Sequence, residues 1–211
     1  ITENKMSVAD IIPLDTDEEN KSEDFPGYSN VHEMIGNLVS SLNCDNATIE
    51  ALKEYFTREP SMAAETIYGF SSETKYSGAV MYDGNNLVLG APEKLLLEDY
   101  PLYKDEIVSL SSRGFRVLIF GIYEGVLDGK PLLRPVKPLA IVTLWNAIRP
   151  EARATFQYFK DQGVDIKVIS GDNPVTVSYV AKSAGITGAD SYVDATELVT
   201  DDDFARAVKQ Y

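Results

Sequence analysis

Apolar residues recur at three-to-four spacing in two early stretches. The first holds Val31, Ile35, Leu38, Val39 and Leu42; the second holds Ile49, Leu52, Tyr55 and Phe56. That period predicts two amphipathic helices joined as a hairpin. Asn46 stands where the second would be capped. The period then changes. Thr66–Phe70, Ser77–Tyr82 and Leu87–Gly90 read as strands, with turn chemistry at Asp83-Gly84-Asn85. A helix is expected from about Pro101 to Ser112, then a β-rich run over Phe115–Tyr123 and a turn at Asp128-Gly129. Strands that succeed one another by short turns, mixed with helices, make an α+β pattern with an antiparallel sheet.

After Pro138 the order of elements is different. Leu139–Leu144 reads as a continuous apolar strand, Arg149–Asp161 as a helix ended by Gly163, and Val164–Ile169 as a second buried strand. The run Ser170-Gly171-Asp172-Asn173-Pro174 comes next, then a helix over Val175–Ala184 that stops at Gly185. This β-α-β-turn-α order is that of a parallel sheet covered by helices. The two prolines near Arg134–Pro138 mark the change.

Composition narrows the function classes. The chain has 211 residues, enough for a real core. Its 19 Lys and Arg against 33 Asp and Glu give a net charge of −14. That balance argues against a nucleic-acid polymer, whose phosphates need cations in excess. No apolar run approaches bilayer length, and no secretory signal is seen. One Cys, Cys44, cannot form an internal disulfide, and one His, His32, offers no clustered zinc site. The acidic stretch Asp15–Asp24 is expected to be a solvated loop. The chain starts at Ile1 without Met, which is read as either processing or the edge of a piece of a longer protein.

Four short pieces carry chemistry. Ile166–Pro174, IKVISGDNP, sets a hydroxyl and free amides at a helix start after a buried strand, which is either a phosphate site or a capped turn. Phe70–Gly78, FSSETKYSG, offers a ring for an adenine and Lys75 for a phosphate; the plainer reading makes Phe70 a core residue. Leu89–Glu93, LGAPE, holds a Gly-Ala pair that admits close backbone approach before Pro92 starts a short helix, or it is a plain turn. Gly114–Val117, GFRV, puts Arg116 at a strand start, where a lone Arg is ordinarily solvated.

In this order the pieces resemble the cytoplasmic region of P-type ATPases, the cation pumps that form an aspartyl-phosphate. FSSETKYSG is similar to the family's F-S-x-x-x-K stretch, LGAPE to K-G-A-P-E and SGDNP to T-G-D-N. WNAIRPEA, Trp145–Ala152, is similar to its D-x-x-R-x-x segment, and ITENKM to the residues just after its phosphorylation motif. The resemblance covers the whole chain. It implies a nucleotide-binding domain over 7–137 inserted into an α/β haloacid-dehalogenase-like phosphorylation domain, present incompletely as 1–6 and 138–211.

By this resemblance Phe70 stacks on adenine and Lys75 lines the nucleotide pocket. Gly90 and Ala91 give it close-approach backbone, and Arg116 contacts phosphates and helps bridge the domains. Arg149, Ser170, Gly171 and Asp172 support the phosphoryl group. The implied ligands are ATP and, in the full-length parent, Mg²⁺. The implied partner is the rest of the same pump, with its transmembrane and actuator domains, at the cytoplasmic face of a membrane. The segment itself is expected to be monomeric, with no nucleic acid as partner.

Three positions depart from the pattern: Leu89 where many pumps have Lys, Asn146 where many have Asp, and Ser170 for Thr. Leu89 and Ser170, with S-G-D-N-P, look more like a bacterial branch of cation pumps than the animal calcium pump. Neither a D-K-T-G-T nor a G-D-G-x-N-D motif occurs in 1–211, so the nucleophilic Asp and the metal ligands are missing from this stretch. Without them the chain alone is expected not to turn over ATP. The alternative is a stand-alone nucleotide-binding or regulatory module without catalysis. For the parent's cargo, calcium is the ion suggested by subfamily resemblance, with manganese and magnesium as the others.

Overall fold

The computed structural model describes residues 1–14, 28–171 and 174–210. The acidic stretch Asp15–Asp24 lies outside the described residues. The chain divides into two compact units. The larger holds Lys5–Ile107 and Val117–Trp145; the smaller holds Ile1–Asn4, Val108–Arg116 and Asn146–Tyr211.

Six strands make one sheet: β1 (Thr2–Pro13), β2 (Ala64–Tyr68), β3 (Tyr76–Met81), β4 (Asn86–Gly90), β5 (Arg116–Ile122) and β6 (Lys137–Ile148). Their order is β1-β6-β5-β4-β3-β2, a run of neighbours in sequence closed at one edge by the first strand. Pairs β2/β3, β3/β4 and β4/β5 are antiparallel, with Tyr68 opposite Gly78, Tyr76 opposite Gly90 and Leu87 opposite Ile122. The turn between β3 and β4 falls at Asp83-Gly84-Asn85, where Gly84 takes φ +87° and the Asp83 carboxylate accepts from the Asn85 amide at 2.9 Å.

Alternation decides which side chains face the helices. Ala79 and Met81, Leu87 and Leu89, and Phe120 and Ile122 stand two residues apart on three adjacent strands and enter one apolar cluster. That cluster takes Met34, Ile35, Leu38 and Val39 from α1 (Val31–Ser41) and Ile49, Ala51 and Leu52 from α2 (Ala47–Tyr55). The expected helical hairpin is therefore present and covers one sheet face. Val88, Ile119 and Ile141 are also buried, so the middle strands are covered on both faces. Both helices are capped by asparagine. The side chain of Asn46 accepts from the Ile49 amide at 3.0 Å and that of Asn30 from the Glu33 amide at 2.9 Å. Each such cap contributes about 1 kcal/mol. The Glu33 carboxylate accepts from the amide of Ser29, the residue before the cap, at 2.8 Å.

Two helices come after β4: the short α3 (Pro92–Leu95), with Pro92 at its start as expected, and α4 (Tyr100–Ser112). The smaller unit carries α5 (Ala152–Asp161), α6 (Pro174–Ser183) and α7 (Asp201–Gln210). Gly163 and Gly185 end α5 and α6 in the left-handed region, at φ +71° and +86°.

Two expectations are corrected. Leu139–Leu144 does not open a separate parallel unit: it lies in β6, between β5 and β1 of the same sheet. Val164–Ile169 is not a buried strand. It forms no strand, and Val164, Val168 and Ile169 are exposed, Ile169 by 95%. An apolar β-branched run becomes a parallel strand only with hydrogen-bonding neighbours and covering helices. Among the described residues no strand pairs with it.

Candidate functional site

The larger unit brings four of the expected residues to one end of the sheet. β2 ends at Tyr68, and Phe70 stands just beyond it, 49% exposed. The core reading of Phe70 is thereby overturned. A ring left half in water at a strand end is a surface residue and not core packing.

The chain then turns through Ser71–Thr74 into β3. The Lys75 amide donates to the Ser71 carbonyl at 2.7 Å, closing that turn. Lys75 itself takes φ +54°, a left-handed conformation that a non-glycine residue holds only when its surroundings fix it. Here both of its backbone groups are committed. Its carbonyl accepts from the Ala91 amide at 2.9 Å.

That second bond ties in the Gly90-Ala91 pair. Gly90 is opposite Tyr76 in the β3/β4 register. A Cβ on Gly90 would lie 2.6 Å from the Lys75 carbonyl oxygen and 2.6 Å from Tyr76 Cβ. The close approach expected of this glycine is thus to the strand beside it, and the glycine is what lets Lys75 be held. Residues from two separated stretches, 70–75 and 90–91, are joined through the backbone of Lys75.

The Lys75 ammonium lies 3.5 Å from the Glu93 carboxylate, both side chains about half exposed at 50% and 52%. Glu93 was not singled out by sequence reasoning. Its place two residues after Ala91, past a proline that fixes the helix start, was the available signal. Tyr76 supports the same region. It is 2% exposed, and its hydroxyl donates to the Lys130 carbonyl at 2.8 Å. Burial, with the charge of Asp128 next, pushes its phenol up to about 12. The Asp128-Gly129 turn is confirmed: Gly129 has φ +79°, and the Asp128 carboxylate accepts from the Lys130 amide at 3.1 Å and pairs with the Lys130 ammonium at 2.8 Å.

The other expected residues fall in the smaller unit. Arg116 opens β5 and is exposed. The Arg149 guanidinium Nε donates to the Thr2 carbonyl at 2.8 Å, and its amide donates to the Ile1 carbonyl at 3.0 Å. Ser170 and Gly171 are exposed, and a Cβ on Gly171 would meet nothing within 4 Å. Asp172 lies outside the described residues. The phosphate-site reading of this turn began from a buried strand before Ser170, and that strand is absent. Among the described residues no three His, Cys, Asp or Glu side chains gather as a metal site.

No family model matches the chain. The calcium-transporting ATPase CtpE of Mycolicibacterium smegmatis is 34% identical over 188 residues, 89% of this chain and 22% of that protein. The probable cation-transporting ATPase exp7 of Streptococcus pneumoniae is 31% identical over 210 residues, 98% of this chain and 25% of that protein. The chain belongs to the cation-transporting P-type ATPases. It spans about a quarter of the length of these curated relatives. A zinc-transporting PIB-type ATPase in the E2.Pi state shares the fold, with TM-score 0.54 at 16% identity over 88% of this chain and 26% of that one.

Within this P-type ATPase segment two of the departures have structural places. Leu89 is 3% exposed and belongs to the apolar cluster, so at this position the side chain packs instead of reaching a ligand. The Asn146 side-chain amide donates to the Glu3 carbonyl at 3.3 Å. No described helix is long and apolar enough to cross a membrane.

Proposed function

We propose that this chain is the ATP-binding cytoplasmic segment of a P-type pump that couples ATP hydrolysis, through an aspartyl-phosphate, to cation transport across a membrane. The observation that carries the nucleotide site is the backbone junction at Lys75. It places a half-exposed aromatic ring, an ammonium and a glycine-alanine turn at one sheet end. On this reading the nucleotide-binding domain is 7–137, most of which lies in the larger compact unit while 108–116 fall in the smaller, and 1–6 with 138–211 contribute to the phosphorylation domain.

Phe70 stacks on the adenine, which supplies about 1–3 kcal/mol per base. Lys75 meets a phosphate, and Gly90 and Ala91 serve the pocket by holding the Lys75 backbone in place. Arg116 contacts the phosphates, while Arg149, Ser170, Gly171 and Asp172 serve the phosphoryl group in the whole pump. There Mg²⁺ supplies charge neutralisation on the transferring group. The names of the relatives favour calcium as the cargo of the parent.

The net charge of −14 repels a polyanion, so stacking dominates and affinity is weak, with a Kd of about 1 mM. The test is an NMR titration of isotope-labelled chain with adenosine, AMP and ATP, in wild type and Phe70→Ala. Shifts centred on residues 70–75 and 90–91, lost in Phe70→Ala, are expected. Unchanged binding by Phe70→Ala overturns the platform.

A further inference from the structure

We propose that Glu93 is a built-in competitor of the nucleotide's phosphates for Lys75, and so sets how little the phosphate chain adds to binding. The proposal rests on the nucleotide reading above.

The geometry has three parts. First, the base of Lys75 is fixed: its amide is held by Ser71, its carbonyl by Ala91, and the missing Cβ at Gly90 leaves room for that carbonyl. The ammonium therefore swings from a stationary point. Second, the Glu93 carboxylate already sits 3.5 Å from that ammonium. Glu93 is anchored too, between the buried Pro92 and the buried Leu95 of the same helical turn. Third, the pair is half in water, so it is weak and readily exchanged. An incoming phosphate oxygen must displace a carboxylate of like charge from the ammonium or share its three N–H donors with it. It then meets that carboxylate as a repulsive neighbour.

The exchange trades one ion pair for another of similar strength. Adenosine, which brings no charge, leaves the pair intact. Phosphates consequently add little, and the ligand is selected by its base. Removing the carboxylate frees Lys75 for phosphate and removes the repulsion.

The test is a double-mutant cycle read by NMR titration with adenosine and with ATP. The proteins are wild type, Glu93→Gln, Lys75→Gln and the double variant. Glu93→Gln is expected to tighten ATP by about 2- to 5-fold, the range of an exposed ion pair. It is expected to leave adenosine unchanged, and its gain for ATP is expected to vanish when Lys75 is already Gln. If adenosine binds but ATP is unchanged or weakened by Glu93→Gln, the competitor is overturned and the nucleotide site stands. A gain that persists without Lys75 overturns it as well, since the effect is then bulk charge. If wild type binds neither ligand, the nucleotide site itself falls and the competitor with it.

Discussion

The carbonyl oxygen of Lys75 occupies the space where a side chain at Gly90 would begin. The two would be 2.6 Å apart. A methyl there must push apart β3 and β4 or break the Lys75–Ala91 hydrogen bond. Gly90→Ala is therefore expected to destabilise the protein by about 1–3 kcal/mol, as overpacking does. A urea midpoint lowered with an unchanged slope checks it. Nucleotide shifts at Lys75 are expected to weaken in the same variant, because the residue loses its fixed backbone.

Tyr76 makes a second prediction. Tyr76→Phe keeps the buried ring but leaves the Lys130 carbonyl without its donor. The expected loss is about 0.5–1.5 kcal/mol. Burial pushes the phenol up to about 12, so an alkaline absorbance titration of the variant is expected to lose a late step near that pH. An unaltered titration would show that another tyrosine is responsible.

Acid stability is expected to depend on Glu33. Its carboxyl is held down to about 2, first by the Ser29 hydroxyl, then by the Ser61 hydroxyl and the Ser29 amide. The folded value lies below the unfolded value of 4.5, so the stabilisation is fully present above about pH 4.5. It is lost as the pH falls toward 2. Glu33→Gln is expected to lower stability at pH 7 and to flatten the decline between those limits. Thermal melts at pH 7, 4.5 and 2.5 distinguish this from a uniform loss.

The isolated 211-residue chain is expected not to hydrolyse ATP above background. Phosphoryl transfer rests on a positioned nucleophile and a metal that neutralises charge, and neither family motif for them occurs in 1–211. Metal-dependent phosphate release that co-elutes with the chain would refute this.

Periodicity was a good guide wherever a segment is stabilised by its neighbours in sequence. The helices over Val31–Ser41 and Ala47–Tyr55, the Asp83-Gly84 turn and the Gly163 and Gly185 stops come from spacing and local capping. It misled where tertiary partners decide. Val164–Ile169 has the composition of a strand without neighbours, and β1 has neighbours without the clean alternation that would announce it. Lys75 could be named by resemblance, but not its left-handed backbone, which is fixed by hydrogen bonds to Ser71 and Ala91. Glu93 offered only its place after Pro92 as a signal; its ion pair with Lys75 joins the start of β3 to the end of β4 and needs coordinates.

The placement of β1 beside β6 bears on how the molecule reaches its structure. The strand order lets β2 through β6 zip as neighbours, while β1 must wait for the last of them. The residues of β1 precede those of every other strand and pair with the last of them. Their edge stays open while α1, α2 and four strands are made. Such long-range closure slows folding and exposes an unpaired strand to other chains. The step that seals this sheet is thus the one that joins its two most distant stretches.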